Sequence, residues 1–195
     1  GPGDWDSDGD GVVIIQQGDT WIFDPGDQNG IDDDGDGYVD NFIGWDVTNN
    51  DNDPIPPTNS FDHGTLVAGC VSASTDNNIG VASVGWSVKL MGIHSSDDPE
   101  TVSDGYSGIL AAAQMGADLI NLSWGGNGGG NQNLMNTVYN TYGCIIVASA
   151  GNGDEDGNTD FGLHTPSGLD NVISVSAIGP NDNFSCWATG GSTVD

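Results

Sequence analysis

Cys144-Ile145-Ile146-Val147-Ala148 is a run of small or apolar residues with no polar residue among them. A strand with one face in water alternates polar and apolar residues, whereas this run is apolar on both faces, as in the buried strands of parallel sheets. Similar short runs recur along the chain and alternate with helical patterns, which is typical of βαβ crossovers. The sequence therefore predicts a three-layer α/β fold, a parallel sheet flanked by helices.

The same criteria, applied outward from that strand, predict the remaining elements. The predicted strands are Ile43–Thr48, Val88–Ile93, Leu119–Trp124, Cys144–Ala150 and Val172–Ile178. The predicted helices are His63–Ser74, Val102–Met115 and Asn133–Tyr142. An antiparallel hairpin is expected near the beginning, where Val12–Ile15 and Thr20–Phe23 flank Gln16–Asp19.

Size and charge exclude several classes of partner. The chain has 195 residues and a mass of 20.0 kDa, which suits one domain or a piece of one. Its 29 acidic residues face one basic residue, Lys89, and the net charge of −28 excludes nucleic acid and anionic membrane surfaces as electrostatic partners. No apolar run is long enough for a membrane span, and residues 1–4 do not resemble a signal peptide, so an exported protein is expected to have lost it already.

The first 40 residues hold 12 of the 27 Asp residues and contain two similar loops, Asp6–Gly11 and Asp32–Gly37. Both fit the pattern D-x-D-x-D-G, in which alternate carboxylates of a tight loop point at one cation. Neither has the Glu that usually closes such a loop, so Asp40 is expected to complete the second, and the first needs a ligand from elsewhere. The candidate Ca²⁺ ligands are Asp6, Asp8, Asp10, Asp32, Asp34, Asp36 and Asp40. A solvated acidic coat is the alternative.

Three segments in a fixed order carry a family resemblance. They are His63–Gly69, which opens a helix, Leu119–Gly126, which ends in Ser-Trp-Gly-Gly, and Ile145–Asn152, which ends in Ala-Gly-Asn. Together they resemble the histidine, substrate-binding and oxyanion segments of the subtilisin-like serine proteases. The resemblance implies a subtilisin-like sheet in residues 41–195, a partial catalytic domain, preceded by an acidic calcium-loop insertion in residues 1–40.

By this resemblance His63 is the general base and acid, and Asn152 donates its amide to the oxyanion of the tetrahedral intermediate. Peptide or protein substrates are implied, bound by the residues at the ends of the two strands. The implied substrate-binding residues are Ser123, Trp124, Gly125, Gly126, Ser149, Ala150 and Gly151. His164 is expected to be an ordinary loop residue, with a position that borders this site as the alternative, and His94 is expected to be an ordinary strand-end residue.

The family's catalytic Asp and Ser segments, Asp-Thr/Ser-Gly and Gly-Thr-Ser-Met-Ala, do not occur in this sequence. Asp19 is a weak substitute for the first, since a turn Asp is the ordinary interpretation. Residues 1–5 and 190–195 resemble the segments that flank the missing ones, so the domain is expected to be incomplete at both ends. The missing Asp strand is central in the family. Either complementing segments of the same precursor or neighbouring subunits fill the resulting gap, or the packing of this chain differs from that of the family.

Two functions fit these features. The first is a secreted, calcium-stabilised serine endopeptidase, present as a section that is not competent alone. The second is an inactive subtilase-derived protein with an extracellular structural or assembly role. Calcium sites with incomplete cages have dissociation constants of order 10⁻⁴ to 10⁻³ M, which extracellular calcium fills, so an extracellular location is expected.

Overall fold

The computed structural model describes residues 6–18, 20–56, 63–153, 164–183, 185, 188–190 and 194. Asp19 and most of the 190–195 segment lie outside them. The chain forms two compact units, Gly1–Gly116 and Ala117–Asp195. The boundary predicted after residue 40 lies inside the first unit and stays a prediction.

The first unit contains a hairpin, a two-stranded parallel sheet and two helices. In chain order its elements are β1 (Ile14–Gln17), β2 (Thr20–Phe23), β3 (Gly44–Asp46), α1 (His63–Ser72), β4 (Gly92–His94) and α2 (Gly105–Gln114). β1 pairs antiparallel with β2, and β3 pairs parallel with β4. α1 lies between β3 and β4 in the sequence, so these three elements form a βαβ unit.

In the first compact unit, Gly1–Gly116, buried side chains pack helix α2 against the parallel strands. Trp45 of β3 packs with Ala111 and Met115, and all three side chains are buried. A Cβ on Gly108 would lie 2.4 Å from Ser95 Oγ and 2.9 Å from Ile93 Cγ2, so a glycine is needed where α2 approaches the chain around β4. Small residues in α2 therefore permit close helix–strand packing.

The second unit is built on a three-stranded parallel sheet with the order β5–β7–β9. Its elements are β5 (Leu119–Leu122), β6 (Gly126–Asn127), α3 (Gln132–Thr137), a π-helical turn (Val138–Tyr142), β7 (Ile145–Ser149), β8 (His164–Thr165) and β9 (Val172–Val175). α3 is attached to the turn before β9, because the Gln132 side chain accepts a hydrogen bond from Asp170 N at 2.9 Å and donates one to Asp170 O at 3.0 Å.

The two faces of this sheet differ in burial. Ile120, Ile146 and Val172, adjacent across the three strands, are at most 8% exposed. On the opposite face, Leu119, Ile145, Ile173 and Val175 are 45–54% exposed. A parallel sheet is normally covered on both faces, whereas the residues that the structure describes cover only one face of this sheet.

The α/β class, with parallel strands and helices between them, is confirmed. Several elements differ in extent: the hairpin turn has two residues instead of four, because Gln17 pairs with Thr20, and β4 begins at Gly92 instead of Val88. The β6–β8 pair is an element that the sequence did not predict. Among the described residues, no helix has the length and apolar character needed to cross a membrane.

Candidate active site and acidic loops

Two of the three motif segments meet at one edge of the second unit. β5 and β7 are adjacent and parallel, with Leu122 opposite Ala148, so their carboxyl ends reach the same edge of the sheet. Residues 123–126 follow β5, and Ser149–Asn152 begins at the last residue of β7. In open α/β sheets ligands bind at this edge, and the predicted substrate-binding residues lie there.

The chain turns away from the sheet after Leu122. The Ser123 hydroxyl accepts a hydrogen bond from the Asn121 amide at 3.0 Å, which supports a structural role for Ser123. Trp124 is half-buried, whereas Gly125 and Gly126 are exposed. The strand predicted through Trp124 ends at Leu122, since Gly126 pairs instead with Thr165 of β8.

Backbone contacts hold the segment before Asn152. Ala150 is buried, and its N–H donates to Val175 O at 2.8 Å, so the chain after β7 is still held against β9. Thr189 N donates to Gly151 O at 3.3 Å, and Asn152 forms an isolated antiparallel bridge with Ala188. Asn152 is itself exposed. A fixed backbone with an exposed amide side chain is the arrangement that an oxyanion donor requires.

His164 connects the two strand ends. A Cβ on Gly125 would lie 2.3 Å from His164 Cε1, and a Cβ on Gly151 would lie 2.9 Å from His164 Nε2. The imidazole therefore contacts both glycines, and its Nδ1 lies 2.8 Å from Ser167 Oγ. Burial lowers the pKa of His164, which favours the neutral ring.

The sequence suggested at most that His164 borders the site. In the structure its imidazole also fills the space above two glycines of that site. The sequence signal was weak: a His four residues before a Gly, in a loop that leads to the next strand. Only the pairing of β6 with β8 brings it onto Gly125 and Gly151. A substrate side chain at these glycines would meet the imidazole first.

His63 lies in the first unit, as the first residue of α1, and is exposed. No residue of α1 is buried. An exposed imidazole at a helix N-terminus is accessible to a substrate, and it can accept a proton from a hydroxyl only if one is within hydrogen-bond reach.

Comparison with known proteins decides the family. The family described as Peptidase S8, the subtilase family, matches residues 22–195. The chain belongs to the subtilase family. It is 36% identical over 156 residues to thermitase of Thermoactinomyces vulgaris, an alignment covering 78% of this chain and 53% of that protein. It is 38% identical over 155 residues to halolysin of Haloferax mediterranei, covering 78% of this chain and 29% of the relative.

Solved structures agree with this subtilase assignment. The subtilisin-like protease Apa1 from an Antarctic Pseudoalteromonas matches with a TM-score of 0.62 at 27% identity, over 71% of this chain and 32% of that one. MycP1 without its N-terminal propeptide matches with a TM-score of 0.57 at 21% identity, over 68% of this chain and 50% of that one, and supports the fold alone. The subtilase chain spans about half, or less, of the relatives it matches.

The two acidic loops of this subtilase share three types of backbone-to-carboxylate hydrogen bond. Asp6 accepts the N–H of Gly11, five residues on, and Asp32 accepts that of Gly37. Four further carboxylates each accept the N–H of the residue two positions later; they are Asp8, Asp10, Asp34 and Asp36. In each loop, one oxygen from each of the three Asp side chains lies within 4.8 Å of the others; the two groups are Asp6, Asp8 and Asp10, and Asp32, Asp34 and Asp36.

Asp40 is not among the carboxylates that converge in the second group, and its place as a ligand stays a prediction. Its two carboxylate oxygens accept the N–H groups of Asn29 at 3.2 Å and Gly30 at 3.0 Å, which directs the side chain to the start of the loop. Asp36, a member of the group, accepts hydrogen bonds from Tyr38 N and from the Asn41 amide, both at 2.9 Å. Burial raises its pKa, and hydrogen bonds from Tyr38 and Asn41 offset only part of that effect.

Proposed function

We propose that this chain is part of the catalytic domain of a secreted, calcium-stabilised serine endopeptidase of the subtilase type. The observation that carries the proposal is the meeting of Ser123–Gly126 and Ser149–Asn152 at the carboxyl edge of adjacent parallel strands. An extended peptide substrate would bind along these segments, and Gly126, where a Cβ would have nothing within 4 Å, leaves room for a side chain.

His63 and Asn152 have different roles in this proposal. His63 takes the proton of a serine hydroxyl during attack on the peptide carbonyl, and then gives it to the leaving amine. Asn152 donates a hydrogen bond to the oxygen that becomes negatively charged. Loss of such a donor costs about 10² to 10³ in rate, a figure the subtilisin family itself established.

The 195-residue chain alone should not hydrolyse peptides efficiently, because its sequence has no Gly-Thr-Ser-Met-Ala nucleophile segment. Intact-mass analysis and N-terminal sequencing show whether the natural protein is longer than 195 residues, and labelling with a serine-directed reagent shows whether it carries an activated serine. A longer natural chain that a serine-directed fluorophosphonate labels in a His63-dependent way supports the endopeptidase. A natural product of 195 residues that stays unlabelled supports the alternative, an inactive structural or assembly protein.

The catalytic roles require variants of the longer chain. His63→Ala should abolish labelling, and Asn152→Ala should lower kcat far more than it raises KM, since the oxyanion exists only after attack. Asn181→Ala is the matched control, an exposed asparagine in the turn after β9. Equal effects of the Asn152 and Asn181 variants would contradict the oxyanion role.

We also propose that additional polypeptide packs against the β5–β7–β9 sheet. The exposed face with Leu119, Ile145, Ile173 and Val175 supports this, because each side chain leaves about half of its surface in water. A further segment of the same precursor is the favoured partner, since the relatives are much longer than this chain. Neighbouring subunits are the other candidate, and a 195-residue natural product that assembles into oligomers would identify them.

Both acidic loops are proposed to bind Ca²⁺. The donor set fits a hard cation, because three carboxylates converge in each loop and the chain has a single Lys or Arg to neutralise 29 acids. Millimolar calcium should raise the melting temperature, and a chelator should reverse the gain. Asp34→Ala with Asp36→Ala should reduce the gain at constant ionic strength. An unchanged melting curve would identify a solvated acidic coat.

The proposed location is extracellular. Among the relatives are proteins named extracellular proteases from Dichelobacter nodosus and Xanthomonas campestris. Calcium sites in the affinity range expected here fill only at extracellular calcium concentrations.

A further inference from the structure

Asp27 is the most deeply buried carboxylate that the proposed function leaves without a role. Its side chain is 0% exposed. One oxygen, Oδ1, accepts the N–H of Ser7 at 2.8 Å. The other, Oδ2, is buried and receives no hydrogen bond from any described residue. A buried charged oxygen without a partner is strongly unfavourable, so a compensating group is required.

The Asp27 carboxylate is hydrogen-bonded to the backbone of the first acidic loop. Ser7, which donates to it, lies between Asp6 and Asp8, two of the three converging carboxylates of that loop. The turn that carries Asp27 also contacts the loop through Gly26. A Cβ on Gly26 would lie 2.2 Å from Asp8 Oδ2 and 3.3 Å from Asp24 Oδ1. The carboxylates of Asp8 and Asp24, which come from two separate segments, are therefore close together beside Gly26.

The first loop lacks a ligand of its own at the position where such loops usually carry Glu. Gln17 stands there, and it belongs to β1, where it pairs with Thr20. The hairpin formed by β1 and β2 then returns the chain to the loop, since Asp24 N donates to Val13 O at 3.0 Å directly after β2. The turn after β2 thus reaches the loop that needs a further oxygen.

We propose that Asp27 completes a calcium site with Asp6, Asp8 and Asp10, and that Asp24 adds a second carboxylate from the same turn. The inference rests on the proposed calcium binding by the first loop. Ca²⁺ takes six to eight oxygen ligands in flexible geometry, so a site assembled from a loop and a distant turn suits it better than the smaller, strictly octahedral Mg²⁺. Bound calcium then fixes the β1–β2 hairpin to the first loop.

The test isolates the first site in the whole 195-residue chain. In an Asp34→Asn/Asp36→Asn background, which disables the second loop, calorimetric titration with CaCl₂ should still detect one site. Adding Asp27→Asn should weaken that site by about tenfold or more, because one charged ligand is lost. Asp53→Asn is the matched control, an exposed loop aspartate outside both groups, and should leave the affinity unchanged.

Melting curves in chelator separate a ligand from a structural residue. Asn can still accept the Ser7 N–H, and it removes an uncompensated charge, so Asp27→Asn should melt in chelator at or above the temperature of its parent. It should lose the stabilisation that calcium gives the parent. Unchanged calcium affinity, or an equal drop in melting temperature with and without calcium, would overturn the inference.

A measurement without a substitution at Asp27 covers the case in which that variant does not fold. When CaCl₂ is added to the Asp34→Asn/Asp36→Asn protein, the side-chain carboxylate ¹³C signal of Asp27 should shift at the same metal fraction as those of Asp6, Asp8 and Asp10. An unchanged Asp27 carboxylate signal, with the other three shifting, would overturn the role of Asp27 while leaving calcium binding by the first loop intact. A different result would contradict both the inference and the proposed calcium binding by the first loop. In that result the Asp34→Asn/Asp36→Asn protein binds no Ca²⁺, whereas a variant in which only the first loop is disabled still binds it.

Discussion

Asp46 and His94 join the carboxyl ends of β3 and β4 through a hydrogen bond of 2.7 Å from His94 Nδ1 to Asp46 Oδ2. Both side chains are buried, with 4% and 8% of their surface exposed. Asp46 also accepts hydrogen bonds from Thr48 N, Asn49 N and the Asn49 amide. Burial alone would raise the pKa of Asp46, but these donors outweigh it and lower the pKa. The pair therefore holds an ionised carboxylate at the end of a short parallel sheet.

Replacing Asp46 with Asn should destabilise the protein by about 1–3 kcal/mol. The new NH₂ group is a donor placed against the His94 or Asn49 donors, so hydrogen bonds that the carboxylate accepted are lost. Urea unfolding at pH 7 measures the loss. Asp97→Asn is the control, since Asp97 is exposed in the loop after β4, and its effect should stay within about 0.5 kcal/mol.

The difference between wild type and Asp46→Asn should depend on pH in one direction. The pKa of Asp46 is lowered in the folded protein, so its contribution is complete above the unfolded value of about 3.9 and is lost as the pH falls through the folded value. The two unfolding curves should therefore converge below about pH 4. A constant difference from pH 7 to pH 2.5 would contradict an ionised Asp46.

Strongly apolar runs could be predicted from the sequence, and their pairing could not. β7 lies within one residue at each end of the run Cys144–Ala150, because a strand apolar on both faces has few alternatives. β4 was predicted four residues too early: Val88 and Leu90 are 47% and 49% exposed, and pairing starts only where Gly92 meets Gly44. That start depends on how close two backbones can approach, which composition does not encode.

The candidate site shows the same division between local and long-range information. Residues 123–126 and Ser149–Asn152 could be placed at strand ends because each motif contains its own strand. The contact of His164 with Gly125 and Gly151 could not, since it depends on the pairing of two short strands in which Gly126 lies opposite Thr165, 39 positions later. Asp27 was missed for a similar reason, because no local pattern distinguishes it from the surrounding acidic residues.

His164 should make the second unit less stable in acid. Burial lowers its pKa below the ordinary value of about 6.5. The neutral ring is therefore favoured by folding, and its contribution is complete above about pH 6.5 and is lost as the pH falls through the folded value. The melting temperature should fall between pH 7.5 and pH 5 more steeply for wild type than for His164→Asn. Parallel pH profiles for the two proteins would exclude this role.

Gly44 should tolerate no side chain. Its φ is +138°, and a Cβ there would lie 1.7 Å from Gly92 O. Gly44→Ala must separate β3 from β4, so a loss of about 2–3 kcal/mol or a failure to fold is expected. Gly69→Ala is the contrasting variant: its Cβ would have nothing within 4 Å, and alanine in helix α1 should stabilise by about 0.5–1 kcal/mol. Equal effects in urea unfolding would mean that β3 and β4 are not paired in solution.

Ile145 and Ile146 offer a matched pair for the two faces of the β5–β7–β9 sheet. They are adjacent in β7, yet Ile146 is 1% exposed and Ile145 is 46% exposed. Ile146→Ala leaves a cavity and should cost about 2–5 kcal/mol, whereas Ile145→Ala removes a half-solvated side chain and should cost about 1 kcal/mol or less. Urea unfolding of the 195-residue chain measures both. If the two substitutions cost the same, other polypeptide covers the Ile145 face in solution. Dilution would then identify that polypeptide. A second copy of the chain would dissociate, which would lower the cost of Ile145→Ala, whereas residues of the same chain would stay in place and leave the cost unchanged.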